Sequence, residues 1–271
     1  MTQDCLERPN PWRWFAVVAM VAAAAAPSRS VAQSAGTRTV AVAAASDLQT
    51  VLPSLLAAFE KATGVTATTS FGSSGNFFAQ IQNGAPFDVF FSADADYPRR
   101  LVAAGQAKAD TLYEYATGRL VLWTRADSGL DVKRGLALLR DARVRRIAIA
   151  NPDLAPYGRA AVAALKSGNV YDAVKDRLVF GENIAHTAQL AQSGNADVGL
   201  LAHSLAVGAA LKTSGTFIDI PADRYPPVVQ AAVLVSASRN KDAGRALLQY
   251  LRSAEARRTF AAFGFGPPPQ R

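Results

Sequence analysis

The chain has 271 residues, half of them apolar and 18% charged, with a formal net charge of +8. That length and apolar content exclude a disordered chain and allow one large domain or two modest ones with a sizeable core. One cysteine and two histidines leave no internal disulfide and argue against a Cys/His zinc site. The basic residues are scattered and aromatics are few, so the positive balance reads as solubility and not as a nucleic-acid footprint.

Arg8 and Arg13 precede an unbroken apolar run from Trp14 to Ala26, followed by Pro27 and a small-residue stretch with Ser30-Val31-Ala32. A positive start, a short apolar stretch and a small-residue cleavage pattern predict a secretory signal peptide over residues 1–32, cut near Ala32. The run is too short to span a bilayer, and no later segment has the length or uniform apolarity to do so. Removing it takes three arginines and two acids, leaving a mature charge of +7, and takes Cys5 as well. The expected mature protein is soluble, exported and thiol-free.

From Thr39 onward, short β-branched runs alternate with helical patterns. Thr39–Ala45 is a predicted strand, and Ser46-Asp47 has the chemistry of an N-cap pair. Leu48, Val51, Leu52, Leu55, Leu56 and Phe59 then recur at helical spacing up to Gly64. Val65–Phe71 predicts a second strand, running through Gly72-Ser73-Ser74-Gly75 into a helix that carries Phe77, Phe78 and Ile81. Phe87–Ser92 predicts a third strand, with a helix over Leu101-Val102 beyond it. Further strands are expected near Leu120–Trp123, Ile147–Ala150, Leu178–Phe180, Val198–Leu201, Phe217–Ile220 and Val228–Val235, and two helices between Lys241 and Phe263. Alternating units of this kind imply mostly parallel sheets flanked by helices, an α/β architecture.

Three strand ends share one local grammar: Ala45-Ser46-Asp47, Ser92-Ala93-Asp94 and Ala150-Asn151-Pro152-Asp153. Ordinary helix capping accounts for each of them singly. Gathered on one sheet edge, helix starts of this type also make an anion site without lysine or arginine. Ser73-Ser74-Gly75 suits the same role, because hydroxyls and successive amides are donors and glycine permits close approach. A flexible loop is the competing explanation. A serine hydrolase is disfavoured: Gly72-Ser73-Ser74-Gly75 is one residue short of the Gly-x-Ser-x-Gly elbow. The only available bases are His186, in a helical pattern, and His203, expected in a loop after a strand. No phosphate-loop or dinucleotide fingerprint occurs.

Six segments then follow in order: Ala43-Ala-Ala-Ser46, Phe71-Gly-Ser-Ser-Gly75, Gln80-Ile-Gln-Asn-Gly-Ala-Pro-Phe-Asp-Val-Phe-Phe-Ser-Ala-Asp94, Asn151-Pro-Asp-Leu-Ala-Pro-Tyr-Gly-Arg-Ala-Ala161, Glu182-Asn-Ile184 and Gly264-Phe-Gly266. This series resembles the periplasmic molybdate-binding proteins of ABC uptake systems over nearly all of the mature chain. The resemblance implies a two-lobed, type II periplasmic binding protein with the ligand in the cleft between lobes. Lobe 1 would comprise 37–117 and 222–271 and lobe 2 would comprise 118–221, with crossings near 117–119 and 221–226. It implies a monomer that captures molybdate, and tungstate with it, and hands the anion to a membrane permease and its ATPase, with no covalent chemistry and no cofactor.

Carried across by motif, the implied oxyanion contacts are the hydroxyl and amide of Ser46, the amide of Asp47, the hydroxyl and amide of Ser74, and the amides of Tyr157 and Ile184. No side chain would touch the molybdenum directly. Some members carry a small residue at the Tyr157 position and supply a tyrosine hydroxyl from the later strand end, which here is Ala202. Tyr157 is therefore expected to fill that space and to offer its own hydroxyl. The Asp47 carboxylate is expected to be a capping group turned from the ligand; facing it, it would suit a protonated anion such as phosphate. The alternatives are the same scaffold tuned to sulfate or phosphate, a small exported dehydratase or hydrolase, and an exported sensor subunit.

Overall fold

Two five-stranded sheets, each wrapped by helices, make up the structure, a computed structural model that describes residues 38–269. The signal segment, its cleavage site and Cys5 lie outside the described residues. The chain begins with β1 (Arg38–Ala45), a single 3-10 turn over Ser46–Leu48, α1 (Leu52–Thr63), β2 (Val65–Gly72), α2 (Ser74–Gln82), β3 (Val89–Ser92), α3 (Asp96–Ala103) and β4 (Tyr113–Gly118). It crosses to β5 (Leu120–Arg125), then forms β6 (Ile147–Ala150), α4 (Pro156–Ser167), α5 (Tyr171–Val174), β7 (Leu178–Gly181), α6 (Ile184–Gln192), β8 (Val198–Ala202), α7 (His203–Ala206), α8 (Ala209–Ser214) and β9 (Gly215–Asp219). It returns through β10 (Val228–Leu234), α9 (Lys241–Tyr250) and α10 (Ala254–Ala262).

The first sheet has the order β2-β1-β3-β10-β4 and the second β7-β6-β8-β5-β9. In each sheet four strands share a direction and one is reversed, β10 in the first and β5 in the second. The reversed strand is in both cases the one that arrives from a crossing. Strand β4 was not foreseen in the sequence, where its last residues read as an interruption.

Strand periodicity builds the core of the first sheet. Val40, Val42 and Ala44 of β1 join Val89 and Phe91 of β3 against α1 and α9, while Ala43 and Phe90 face Phe77, Phe78 and Leu101 on the other side. The second sheet has one apolar cluster, which also takes Ala45, Ala93 and Val228 from the first. Helix ends follow local chemistry: Gly64 closes α1 in the left-handed region at φ 68°, and Pro156 opens α4, where a missing N–H costs nothing.

The crossings lie side by side. Arg119 alone separates β4 from β5, and the Tyr225 hydroxyl, from the returning segment, accepts the Leu120 amide at 3.0 Å. Thr117 and Gly266 exchange two backbone hydrogen bonds of 2.8 and 2.9 Å, tying the C-terminal segment to the first crossing. His203 opens α7 instead of sitting in a loop; it is 9% exposed, and its Nδ1 lies 2.7 Å from the Asp219 carboxylate.

Candidate functional site

The C-terminal ends of β1 and β2 and the starts of α2, α4 and α6 converge on one small cavity. Its wall includes Ser46, Asp47, Gly72, Ser73, Ser74, Ala93, Pro156, Tyr157 and Ile184. All five residues expected from the sequence to contact an oxyanion are therefore on one wall, three from the first sheet and two from the second. No lysine, arginine or histidine lines it, and neither His186 nor His203 reaches it.

An accounting of first-turn amides explains what the cavity offers. A helix start leaves its first amides without intrahelical partners. In α2, Ser73 caps the helix by accepting the Asn76 amide at 3.3 Å, the Gly75 amide donates to the Leu154 carbonyl at 2.9 Å, and the Phe77 amide donates to the Ser73 carbonyl. In α4 the Gly158 and Arg159 amides donate to the Ala155 carbonyl. In α6 the Asn183 side chain accepts from the Ala185 and His186 amides, both at 3.0 Å. That leaves the amides of Ser74, Tyr157 and Ile184 with no partner among the described residues, and these three residues line the cavity. Three partially positive helix ends thus face one small space.

The serine hydroxyls differ. Ser74 is fully buried and its Oγ accepts the Ala93 amide at 2.9 Å, which turns the hydroxyl proton away from that amide. No acceptor holds this proton among the described residues. Ser46 is engaged on both sides: its Oγ donates to Asn183 Oδ1 at 3.1 Å and accepts the Ala185 amide at 3.3 Å. Ser46 and Asp47 do not cap α1, contrary to expectation. They open a 3-10 turn, and α1 starts only at Leu52, with no side-chain cap.

Asp47 is completely buried. Its Oδ2 accepts from the Tyr157 hydroxyl at 3.1 Å and from the Gln230 side-chain amide, while Oδ1 has no hydrogen-bond partner. The Tyr115 hydroxyl donates in turn to Gln230 Oε1 at 2.7 Å. Burial is the main influence on this carboxyl and pushes it up to about 6, against the opposing effect of Gln230, Tyr157 and its own backbone amide. Burial, with the neighbouring carboxylate second, also raises the Tyr157 and Tyr115 hydroxyls well above their usual range. The Tyr157 hydroxyl, expected to be offered to a ligand, is thus committed to Asp47. Its ring is accommodated because Gly118 has no side chain: a Cβ there would collide with the hydroxyl. Sequence reasoning missed Gln230 and Tyr115, which stand far from Asp47 in the chain and carry no local motif.

A larger cleft beside the cavity is lined by Asp94, Asp96, Arg99, Arg159 and Pro226. Its cations are already paired: Arg159 with Asp94, and Arg99 with Asp96 at 2.7 Å and with Glu114. The positive charge that it could offer an anion is therefore already compensated by carboxylates. The same Arg159–Asp94 pair joins α4 to the end of β3, and the Ser204 hydroxyl donates to the Asp47 carbonyl at 2.7 Å. These contacts hold the two halves together around the cavity. Among the described residues no group of three or more His, Cys, Asp or Glu side chains could hold a metal ion, and no helix is long and apolar enough to cross a membrane.

The chain is 38% identical over 227 residues to the molybdate-binding protein ModA of Azotobacter vinelandii, covering 84% of this chain and 89% of that protein. It is 39% identical over 209 residues to the protein of the same name from Rhodobacter capsulatus, covering 77% and 81%. The solved Azotobacter vinelandii periplasmic molybdate-binding protein superposes with a TM-score of 0.79 at 33% identity, over 85% of this chain and all of that one. The sulfate-binding protein SubI of Mycobacterium tuberculosis, at 17% identity and a TM-score of 0.69, shares the fold. Residues 40–266 match the family model of bacterial extracellular solute-binding proteins, and the chain belongs to that family.

Proposed function

We propose that this protein is an exported, monomeric solute-binding protein that captures molybdate, and tungstate with it, and delivers it to an ABC permease and its ATPase. Residues 1–32 direct export to the periplasm and are removed near Ala32. The first sheet, with 37–117 and 222–271, forms one lobe, and 118–221 forms the other; they hinge at the paired crossings. The anion is held by the hydroxyls and amides of Ser46 and Ser74 and by the amides of Asp47, Tyr157 and Ile184.

The observation that supports this reading is the set of three helix-start amides, unpaired among the described residues, around a cavity lined by no cationic side chain. Molybdate at neutral pH is a fully deprotonated tetrahedral dianion, so all its oxygens accept and none donates. Hydrogen bonds to a charged group contribute roughly 1.5–3 kcal/mol each, and several donors aimed in advance offset the desolvation of a dianion. Donors come from both lobes, so a bound anion favours the closed form that a permease recognises. An arrangement in which the donors are amides and hydroxyls suits capture and release.

Calorimetric titration of the signal-free protein with molybdate, tungstate, sulfate and phosphate in one low-salt buffer tests this. One-to-one binding of molybdate and tungstate, with sulfate at least about a hundredfold weaker, corresponding to about 2.7 kcal/mol, is expected. Silence with molybdate together with heat from sulfate or phosphate would keep the scaffold and discard the substrate.

A further inference from the structure

The Asp47 carboxyl has no part in the anion contacts proposed above, yet it is fully buried on a residue that lines the cavity and is bonded to the hydroxyl of Tyr157, which lines it too. A carboxylate is the least expected neighbour for a dianion, because like charges in a dry site repel strongly. The groups that face it carry no compensating charge: Tyr115 from β4, Tyr157 from α4, Gln230 from β10, its own backbone amide, and the Ser204 hydroxyl from α7 on its carbonyl. No cation bonds to it among the described residues. One oxygen, Oδ1, accepts nothing at all. An ionised carboxylate would leave that oxygen as a naked buried acceptor.

Resting on the oxyanion reading above, we infer that Asp47 is the proton acceptor of this site. A dianion entering the cavity drives its carboxylate to the neutral acid, so one proton is taken up with each anion bound. The proton comes from solvent and bonds to Oδ1, while Oδ2 keeps its two donors. The free protein holds this carboxyl at about 6 through burial, and an adjacent double negative charge moves it further in the same direction. Above that pH the free protein carries the carboxylate ionised and the complex carries it neutral. Affinity then falls as pH rises, about tenfold per pH unit, until the complex itself loses the proton. Asp47 thereby makes the site a better receptor for dianions at mildly acidic pH than at alkaline pH. Molybdate is already fully deprotonated across this range, so the ligand contributes nothing to the proton count.

The test is calorimetric titration of the signal-free protein with sodium molybdate at pH 7.5, in buffers of different ionisation heat, repeated from pH 6 to 8.5. The wild type is expected to take up close to one proton per molybdate and to weaken about tenfold per unit between pH 7 and 8. Asp47→Asn, a permanently neutral analogue of the acid, is expected to take up none and to bind with an affinity that no longer changes with pH. Tyr157→Phe removes one donor to the carboxylate and is expected to move the onset of the fall to higher pH, which serves if the asparagine variant does not fold. Molybdate binding by the wild type with equal heat in all buffers overturns this inference and leaves the oxyanion reading standing. Proton uptake that persists in Asp47→Asn assigns the proton elsewhere and also overturns it. Absence of binding to molybdate, tungstate, sulfate and phosphate alike overturns both.

Discussion

The Tyr157 hydroxyl donates to the Asp47 carboxylate at 3.1 Å, joining the start of a helix in one half of the molecule to the turn after the first strand of the other. Both residues line the anion cavity, so their side chains brace the backbone amides beside them. The carboxyl in this pair is buried and held up at about 6 against an ordinary 3.8. A raised carboxyl means that the folded protein grips the proton more firmly than the unfolded chain does. Its contribution to stability is therefore fully present below pH 4 and is lost as pH rises through 6, by about 3 kcal/mol for a shift of this size. Asp88 is shifted the opposite way, held down by the Ala41 amide and the Ser238 and Asn240 side chains against its own burial. It loses stability on acidification, so the wild type alone does not isolate Asp47.

A comparison with Asp47→Asn does isolate it. The difference in unfolding free energy between wild type and variant is expected to move in favour of the wild type by up to about 3 kcal/mol between pH 8 and pH 4. Urea denaturation of both proteins without ligand at four or five pH values measures this. A difference that stays constant with pH would mean that Asp47 is ionised equally in the folded and unfolded chains.

The sequence exposed the fold and the site to different depths. Strands such as Ile147–Ala150 and helix starts such as Ser73-Ser74 were legible because their signals are local: β-branched runs, capping side chains, a proline at a first turn. Strand β4 was not, since Tyr113–Gly118 pairs through a shifted register at Gln230 and Ala231 and its end merges into the crossing. The five residues singled out in the sequence line one cavity, each at a helix start or a strand end. The network behind it was not legible. Asp47 meets Gln230 across 183 positions and Tyr115 meets Gln230 across 115, and nothing local to any of the three announces the others. That long-range demand is also why Ser46-Asp47 failed to cap a helix: Asn183 holds one side chain, and Gln230 with Tyr157 holds the other.

The two serines are expected to differ in what they contribute to affinity. Ser74 already spends its acceptor capacity on the Ala93 amide, so its hydroxyl proton is available to an anion without breaking anything. Ser46 must first release Asn183 Oδ1. Ser74→Ala should therefore weaken molybdate binding by roughly 1.5–3 kcal/mol, between about tenfold and a hundredfold or somewhat more. Ser46→Ala should cost nearer 1 kcal/mol, about fivefold. Titration calorimetry on variants whose circular dichroism matches the wild type gives both numbers. Equal losses, or the reverse order, would show that Asn183 gives up Ser46 at no cost when the anion arrives.

Arg159 reaches from α4 to Asp94 at the end of β3, and its Nη1 donates to the Tyr97 hydroxyl at 3.3 Å with the guanidinium 5.6 Å from that ring. Nothing in this cluster lines the small cavity, but it spans the same two halves that the proposed hinge would part for release. Its worth is limited by solvent, since the arginine side chain is 41% exposed and the carboxylate 27%. Exposed pairs of this kind contribute about 0.2–1 kcal/mol. Arg159→Met is accordingly expected to speed molybdate release by up to about fivefold, while leaving the association rate within twofold. Raising the salt concentration should shrink the difference, because screening weakens the pair in the wild type only. Stopped-flow displacement at two ionic strengths separates these outcomes. A release rate unchanged by the substitution would mean that the other bonds between the halves, those of Ser46, Thr50, Gly75, Tyr157 and Ser204 among them, hold the halves closed without it, and a loss of more than about a hundredfold would place Arg159 in contact with the anion itself.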